Sequence, residues 1–211
     1  MNGLNTVAYS DFQEFRHFSL CKIRASAVPE TNEILDVVDA SDRVTGQAPR
    51  NEVHAHKLRH RAVHIFLFNE RTELFIQKRA AGKDTFPRRY DSSASGHVAS
   101  GETYDACALR ELREELGLKV TRSRLQKHFK IESCEETGWE FVWAYSLRSG
   151  EAPRVNPQEI ECGAFWPVPE VRARIVAQPE EFAPSFAAIF EEFDRHQLLP
   201  DQPARRVPPR P

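Results

Sequence analysis

Between Gly96 and Leu118 the chain reads GHVASGETYDACALRELREELGL, and three of its acids, Glu111, Glu114 and Glu115, are spaced i, i+3 and i+4. On an α-helix, at about 100° per residue, that spacing places all three carboxylates within an arc of roughly 100°. Like charges held so closely repel by a few tenths of a kcal/mol per pair in water, and by more once water is excluded. Something positive must neutralise them. An all-oxygen ligand set suits a hard divalent cation, Mg2+ above all with Mn2+ as the second choice, because such an ion keeps waters and also binds phosphate oxygens. The loop from Gly96 to Gly101 can add a backbone carbonyl, with Gly96 the candidate, and Glu102 either adds a carboxylate or braces the loop. Arg110 carries a planar donor that orients an acid through paired hydrogen bonds.

Holding three acids over a cleft requires the rest of their helix to be anchored. Glu102 to Leu116 contains few helix breakers, and Leu109, Leu112 and Leu116 recur three and four apart on a face centred roughly 130° from the acids. Gly117 is a suitable terminator. Around this helix the sequence predicts strands. Glu33 to Asp39 and Val44 to Gly46 form a first hairpin, and AVHIFLFN from Ala62 with LFIQKRA from Leu74 form a second. Gly82 to Ser95 reads as irregular, and further strands are expected over 126–133, 139–147 and 162–166. Phe182, Phe186, Ile189, Phe190 and Phe193 at helical spacing predict a helix over 180–196 lying on the sheet.

The chain has 211 residues, the length of one catalytic-sized domain with tails. Residues 1–32 mix aromatic and polar types without a period and are taken as an N-terminal extension, 33–196 as the domain, and 197–211 as a Pro/Arg-rich disordered tail. With 29 basic and 31 acidic residues the net charge of −2 provides no field to draw the protein onto nucleic acid or an anionic membrane. No apolar run approaches the ~18 residues of a membrane span. The start lacks the basic and apolar regions of a secretory signal, so a cytoplasmic location is expected. Cys21, Cys107, Cys134 and Cys162 are scattered without a CxxC pair or zinc-ligand spacing.

An acidic stretch on a helix is ordinarily a solvated face with Arg–Glu pairs. Here, however, Gly96, Glu102, Arg110, Glu111, Leu112, Glu114, Glu115, Gly117 and Leu118 all satisfy the pattern Gx5Ex7REUxEExGU, with U aliphatic. At ordinary residue usage a chance match is roughly one in ten million. The segment resembles the Nudix box, and the chain from about Glu33 to His196 resembles the Nudix superfamily. That resemblance implies an α/β/α sandwich with a mixed β-sheet and a loop–helix–loop catalytic motif, hydrolysis of diphosphates linked to another moiety such as a nucleoside, and divalent metal held by Glu111, Glu114 and Glu115, one of them serving as base.

A finer likeness runs through HRAVHIFLFN and QKRAAGKDTFPRRYDSSASGH, which are similar to the subgroup close to isopentenyl-diphosphate isomerase. It implies that Arg79 and Lys83 grip a diphosphate and that His60 and His97 bind metal. Glu159, in a loop before the last strand, matches a position where many Nudix enzymes place an extra metal-binding or basic glutamate. Two departures oppose isomerisation. Ser95 stands where the isomerase has its catalytic cysteine, and the box is complete where the isomerase's is degenerate. Moving a double bond needs a proton donor and acceptor on opposite faces of carbon, and a serine hydroxyl is a poor acid. The expected activity is Mg2+-dependent hydrolysis of a small diphosphate-containing molecule. An isomerase on prenyl diphosphates and a non-catalytic diphosphate sensor are the alternatives, the latter disfavoured by the intact set of acids.

Overall fold

The β-branched run Ile34–Val38 forms strand β1, which turns back into the antiparallel strand β2, Val44–Pro49, as the first predicted hairpin. The structure is a computed structural model and describes residues 33–200. The expected N-terminal extension, 1–32, lies outside the described residues, as do positions 201–211 of the expected tail. A short helix α1, Arg50–Ala55, follows β2 and was not expected, because with Val53 as its one buried residue it is too short to display a period.

Strand β3, His60–Phe68, is buried along nearly its whole length and divides its side chains between two cores. Val63, Ile65 and Leu67 face one way, Ala62, Phe66 and Phe68 the other, which is why the strand reads as an unbroken apolar run. It lies parallel to strand β8, Glu140–Arg148, in a register that sets His60 beside Glu140. Strand β7, Gln126–Ile131, pairs antiparallel with the far edge of β8.

The second predicted hairpin is only partly realised. Strand β4, Leu74–Arg79, pairs with β3 at Phe68–Leu74 and then diverges. The Ser93 hydroxyl sits in the fork, accepting from the Leu67 N–H at 2.8 Å and donating to the Phe75 carbonyl at 2.6 Å. Two short strands fill the gap, β5 at Tyr90–Asp91 against β4 and β6 at Ala94–His97 against β3. The stretch 82–95 is therefore irregular only up to Tyr90. Strand β9, Ile160–Trp166, takes the other edge of β4 and begins two residues before the expected start.

Helix α2, Tyr104–Leu116, covers one face of this mixed sheet. Thr103 caps its start by accepting from the Ala106 N–H, and Gly117, at φ 67°, ends it with N–H bonds back to the last turn. Its buried stripe differs from the expected one. Cys107, Ala108, Leu112 and Leu116 are fully buried and Leu109 only partly, so the helix is rolled toward the sheet and draws Glu111 and Glu115 inward with it. On the opposite face lie α3, Val168–Ala177, which was not expected, and α4, Pro184–Arg195, whose Phe186, Ile189, Phe190 and Phe193 pack on Phe66 and Phe68. The result is the expected α/β/α sandwich of α+β type. Leu199 is buried against α4's core, so the packed body runs a few residues into the stretch assigned to the tail. No helix among the described residues is long and apolar enough to cross a membrane.

Candidate functional site

Helix α2 points Glu111 and Glu115 into the seam between β4 and β6, where they are 7% and 6% exposed, while Glu114 stays at the solvent rim. The shared arc is thus split in depth, two acids inside and one outside. Glu115 Oε2 accepts from Gln77 Nε2 at 3.1 Å and from the Ser95 N–H at 3.3 Å, both neutral donors. Burial raises its pKa well above the carboxylate range, and the charges of Glu111 and Glu159 add to the effect. Glu111 lies directly over Gly96. A Cβ at Gly96 would overlap its carboxylate and come within 2.9 Å of its Cγ, so this position of the acid requires glycine. Burial raises Glu111 to about 7, against the opposing pull of Arg110.

Arg110 is the hub of the loop-to-helix junction. Its guanidinium donates to both oxygens of Glu102, to Glu111, to Glu114 and to the His97 carbonyl. Glu102 also accepts from the Ala99 N–H. Both oxygens of Glu102 are thus engaged by Arg110 and the loop backbone. The same loop is tied to β1 by Asp36, which accepts from Ser100 Oγ and the Gly101 N–H. The Gly96 carbonyl lies 3.8 Å from Cys107 Sγ, and the thiol also points at the His97 carbonyl. Burial pushes Cys107 up, as befits a packed thiol.

Lys83 and Glu159, assigned separately from the sequence, meet at 2.8 Å between Nζ and Oε2. Glu159 is carried there by a loop docked on α2, where the Asn156 N–H donates to the Glu115 carbonyl. Two other glutamates pair elsewhere, Glu135 with Lys57 and Glu161 with Lys78. Arg79 turns toward its own loop, donating to the Thr85 carbonyl and hydroxyl and to Asp91. Trp143 packs on α2's core with Lys127 over its ring, while Phe86 is exposed at φ 46° on the loop that carries Lys83.

His60 and His97 come together with a third histidine, His54 of α1, their candidate ligand nitrogens all within 4.8 Å of one another. Glu140 joins them, its Oε1 3.2 Å from His97 Nε2 and 3.5 Å from His60 Nε2. The Nε2 atoms of His54 and His60 are buried without a hydrogen-bond partner. Against its burial, hydrogen bonds to Glu140 and Glu33 raise His97 to about 9, whereas burial and its histidine neighbours lower His54 to about 4. His54 and Glu140 were not singled out from the sequence. A signal for the first was present, since four of the chain's eight histidines fall between His54 and His64. None existed for Glu140, which arrives through the β3–β8 register.

The NUDIX domain family profile matches residues 58–186. An uncharacterised Nudix hydrolase of Streptomyces coelicolor is 37% identical over 146 residues, 68% of this chain and 80% of that one. A prenyl-diphosphate phosphatase of Methanosarcina mazei is 32% identical over 72% of this chain and 89% of its own length. An isopentenyl-diphosphate Delta-isomerase of Nocardia farcinica is 31% identical over 76% and 94%. A crystal structure from Deinococcus radiodurans superimposes with a TM-score of 0.68 at 31% identity, covering 76% of this chain and 98% of that one.

Proposed function

The chain belongs to the Nudix hydrolase family, and from that premise we propose that it splits a phosphoanhydride bond in a small diphosphate-containing molecule by attack of water, with Mg2+ or Mn2+ held by Glu111, Glu114 and Glu115. The observation that carries this reading is Glu115, a buried carboxylate hydrogen-bonded only to neutral donors and flanked by two further acids. Such a group fits a divalent cation, since burial without one costs the charge its solvation. When bound, the ion absorbs charge growing on the phosphate oxygens and makes a bound water easier to deprotonate. Arg110 fixes Glu111 and, through Glu102, the loop that carries Gly96. One of the three glutamates would serve as the base, directly or through a bound water. Lys83 supplies a positive group for the diphosphate, and Arg79 holds the shape of the loop that presents it.

Glu115→Gln tests the proposal. The variant should fold, lose most Mg2+-dependent phosphate release across a panel of nucleotide, nucleotide-sugar and prenyl diphosphates, and bind Mg2+ more weakly. Unchanged turnover would refute the assignment. The relative from Methanosarcina mazei supports including prenyl diphosphates in that panel. Isomerisation is disfavoured by Ser95 on β6, and running the reaction on isopentenyl diphosphate in deuterated water separates the two chemistries, because isomerisation leaves deuterium in the product.

A second cation position is favoured by the orphaned Nε2 atoms of His54 and His60 beside His97 and Glu140. Three imidazoles and one carboxylate suit Zn2+ or Mn2+ better than Mg2+.

A further inference from the structure

An ammonium suited to phosphate oxygens and a carboxylate suited to a cation or a proton would be expected to face their ligands, yet Lys83 and Glu159 hold each other at 2.8 Å. Their side chains are 15% and 31% exposed, so the contact is shielded more than an ordinary surface ion pair. Both loops are fixed by backbone bonds, Ala80 N–H to the Glu159 carbonyl and Lys83 N–H to the Ala80 carbonyl. The Glu159 loop docks at the end of α2 that carries Glu115, where the Asn156 N–H donates to the Glu115 carbonyl and the Glu159 N–H to the Asn156 carbonyl. Turning Lys83 to a phosphate leaves the carboxylate of Glu159 without this cation near the acids of α2, while turning Glu159 to a cation leaves the Lys83 ammonium beside it. Either ligand alone therefore works against a charge that the other would satisfy.

We propose that the Lys83–Glu159 pair is an exchange gate, opened when a metal–diphosphate complex takes both partners at once, the carboxylate turning to the cation and the ammonium to the phosphate oxygens. The idea rests on the reading of Lys83 as a diphosphate group given above and adds a consequence to it. The pair makes metal and diphosphate bind cooperatively and selects against metal-free diphosphate anions. No covalent step is involved, only the exchange of the Lys83–Glu159 contact for contacts with the metal–diphosphate complex.

The experiment is calorimetric titration of methylenediphosphonate, a diphosphate whose bridge water cannot cleave, with EDTA or with Mg2+. In EDTA, Glu159→Gln should bind it about tenfold more tightly than the unaltered protein, within the usual range of coupling between sites. Glu159→Asp keeps the charge but shortens the reach, and should show most of the same gain. In a Lys83→Met background neither change should matter by more than about twofold, and the enhancement by Mg2+ should shrink about tenfold in Glu159→Gln. A gain that persists without Lys83, or that is missing from both Glu159 variants, would overturn the gate. Equal affinity of Lys83→Met and the unaltered protein in Mg2+ would overturn it as well. Neither result touches the hydrolase reading, which stands or falls with Glu115→Gln.

Discussion

Replacing Gly96 by alanine adds one methyl group at the point where the structure has no room for it. Gly96 lies in β6 opposite Val63, so the backbone accepts alanine without strain, and the unfolded-state effect of Gly→Ala favours the variant by about 0.4–1 kcal/mol. The new Cβ would overlap the Glu111 carboxylate and stand 2.9 Å from its Cγ, inside ordinary contact. The obstructing atoms form the flexible end of one side chain, so the cheapest response is for the carboxylate to retreat by about 1 Å, taking its bond to Arg110 with it. Misplacing a catalytic group by that distance costs about 10²-fold in rate, or about 2.7 kcal/mol of transition-state stabilisation. The expected outcome is a melting temperature no lower than that of the unaltered protein, with turnover down about 10²-fold and a higher Mg2+ requirement, read from phosphate release over an Mg2+ titration. Shortening the acid as well, with Glu111→Asp in the Gly96→Ala chain, should recover part of the Mg2+ affinity. Turnover of Gly96→Ala within about threefold of the unaltered protein would show that Glu111 does not act from the position described.

Two further outcomes follow from the buried groups. A carboxylate whose pKa is raised on folding binds its proton more tightly in the folded state, so stability is lost as pH rises from the unfolded value toward the folded one. For Glu111 that window runs from 4.5 to about 7, which at 1.36 kcal/mol per pH unit gives a ceiling of about 3 kcal/mol. Urea unfolding in EDTA should show the protein less stable at high pH than at low pH across this window, Glu111→Gln should flatten the slope, and Mg2+ should restore stability on the alkaline side. A slope identical in Glu111→Gln would contradict the assignment. At the histidine cluster, His60→Ala should lose one equivalent of Zn2+ or Mn2+ retained after dialysis while Mg2+ binding at the glutamates persists, and equal metal content in both proteins would remove the cluster from the metal chemistry.

Helix α2 was legible because its signals are local. The terminator Gly117 and a three-and-four leucine spacing lie within one stretch of chain, and only the start differs, where the cap at Thr103 begins the helix at Tyr104 instead of Glu102. The forking of β3 from β4 was not legible. It depends on the hydroxyl of Ser93, some twenty residues from either strand's pairing point, reaching between Leu67 and Phe75, and nothing in the two apolar runs distinguishes a closed hairpin from an open one. The fork nevertheless creates the site, because it admits β6, and with β6 come Gly96 beneath Glu111 and the Ser95 N–H against Glu115.

The clustering of the candidate acids on one helix face was legible, and their depth was not. A helical arc fixes the directions of Glu111, Glu114 and Glu115 relative to one another but says nothing of what covers them, and Leu109 misled because it completes a regular spacing while Ala108 and Cys107, being small, take the closer contact with the sheet. Rolling the helix to bury those small residues sinks Glu111 and Glu115 out of water and leaves Glu114 at the rim. The roll therefore turns a charged helix face, ordinarily solvated, into a set of acids with two members buried away from water. Pairings across the chain, Lys83 with Glu159 and His60 with Glu140, had no local signature at all and depend on the docking of two loops and on one strand register. If small residues at Cys107 and Ala108 set the depth of the acids, then the geometry of metal binding is determined on the core side of the helix, by residues that never touch the ion.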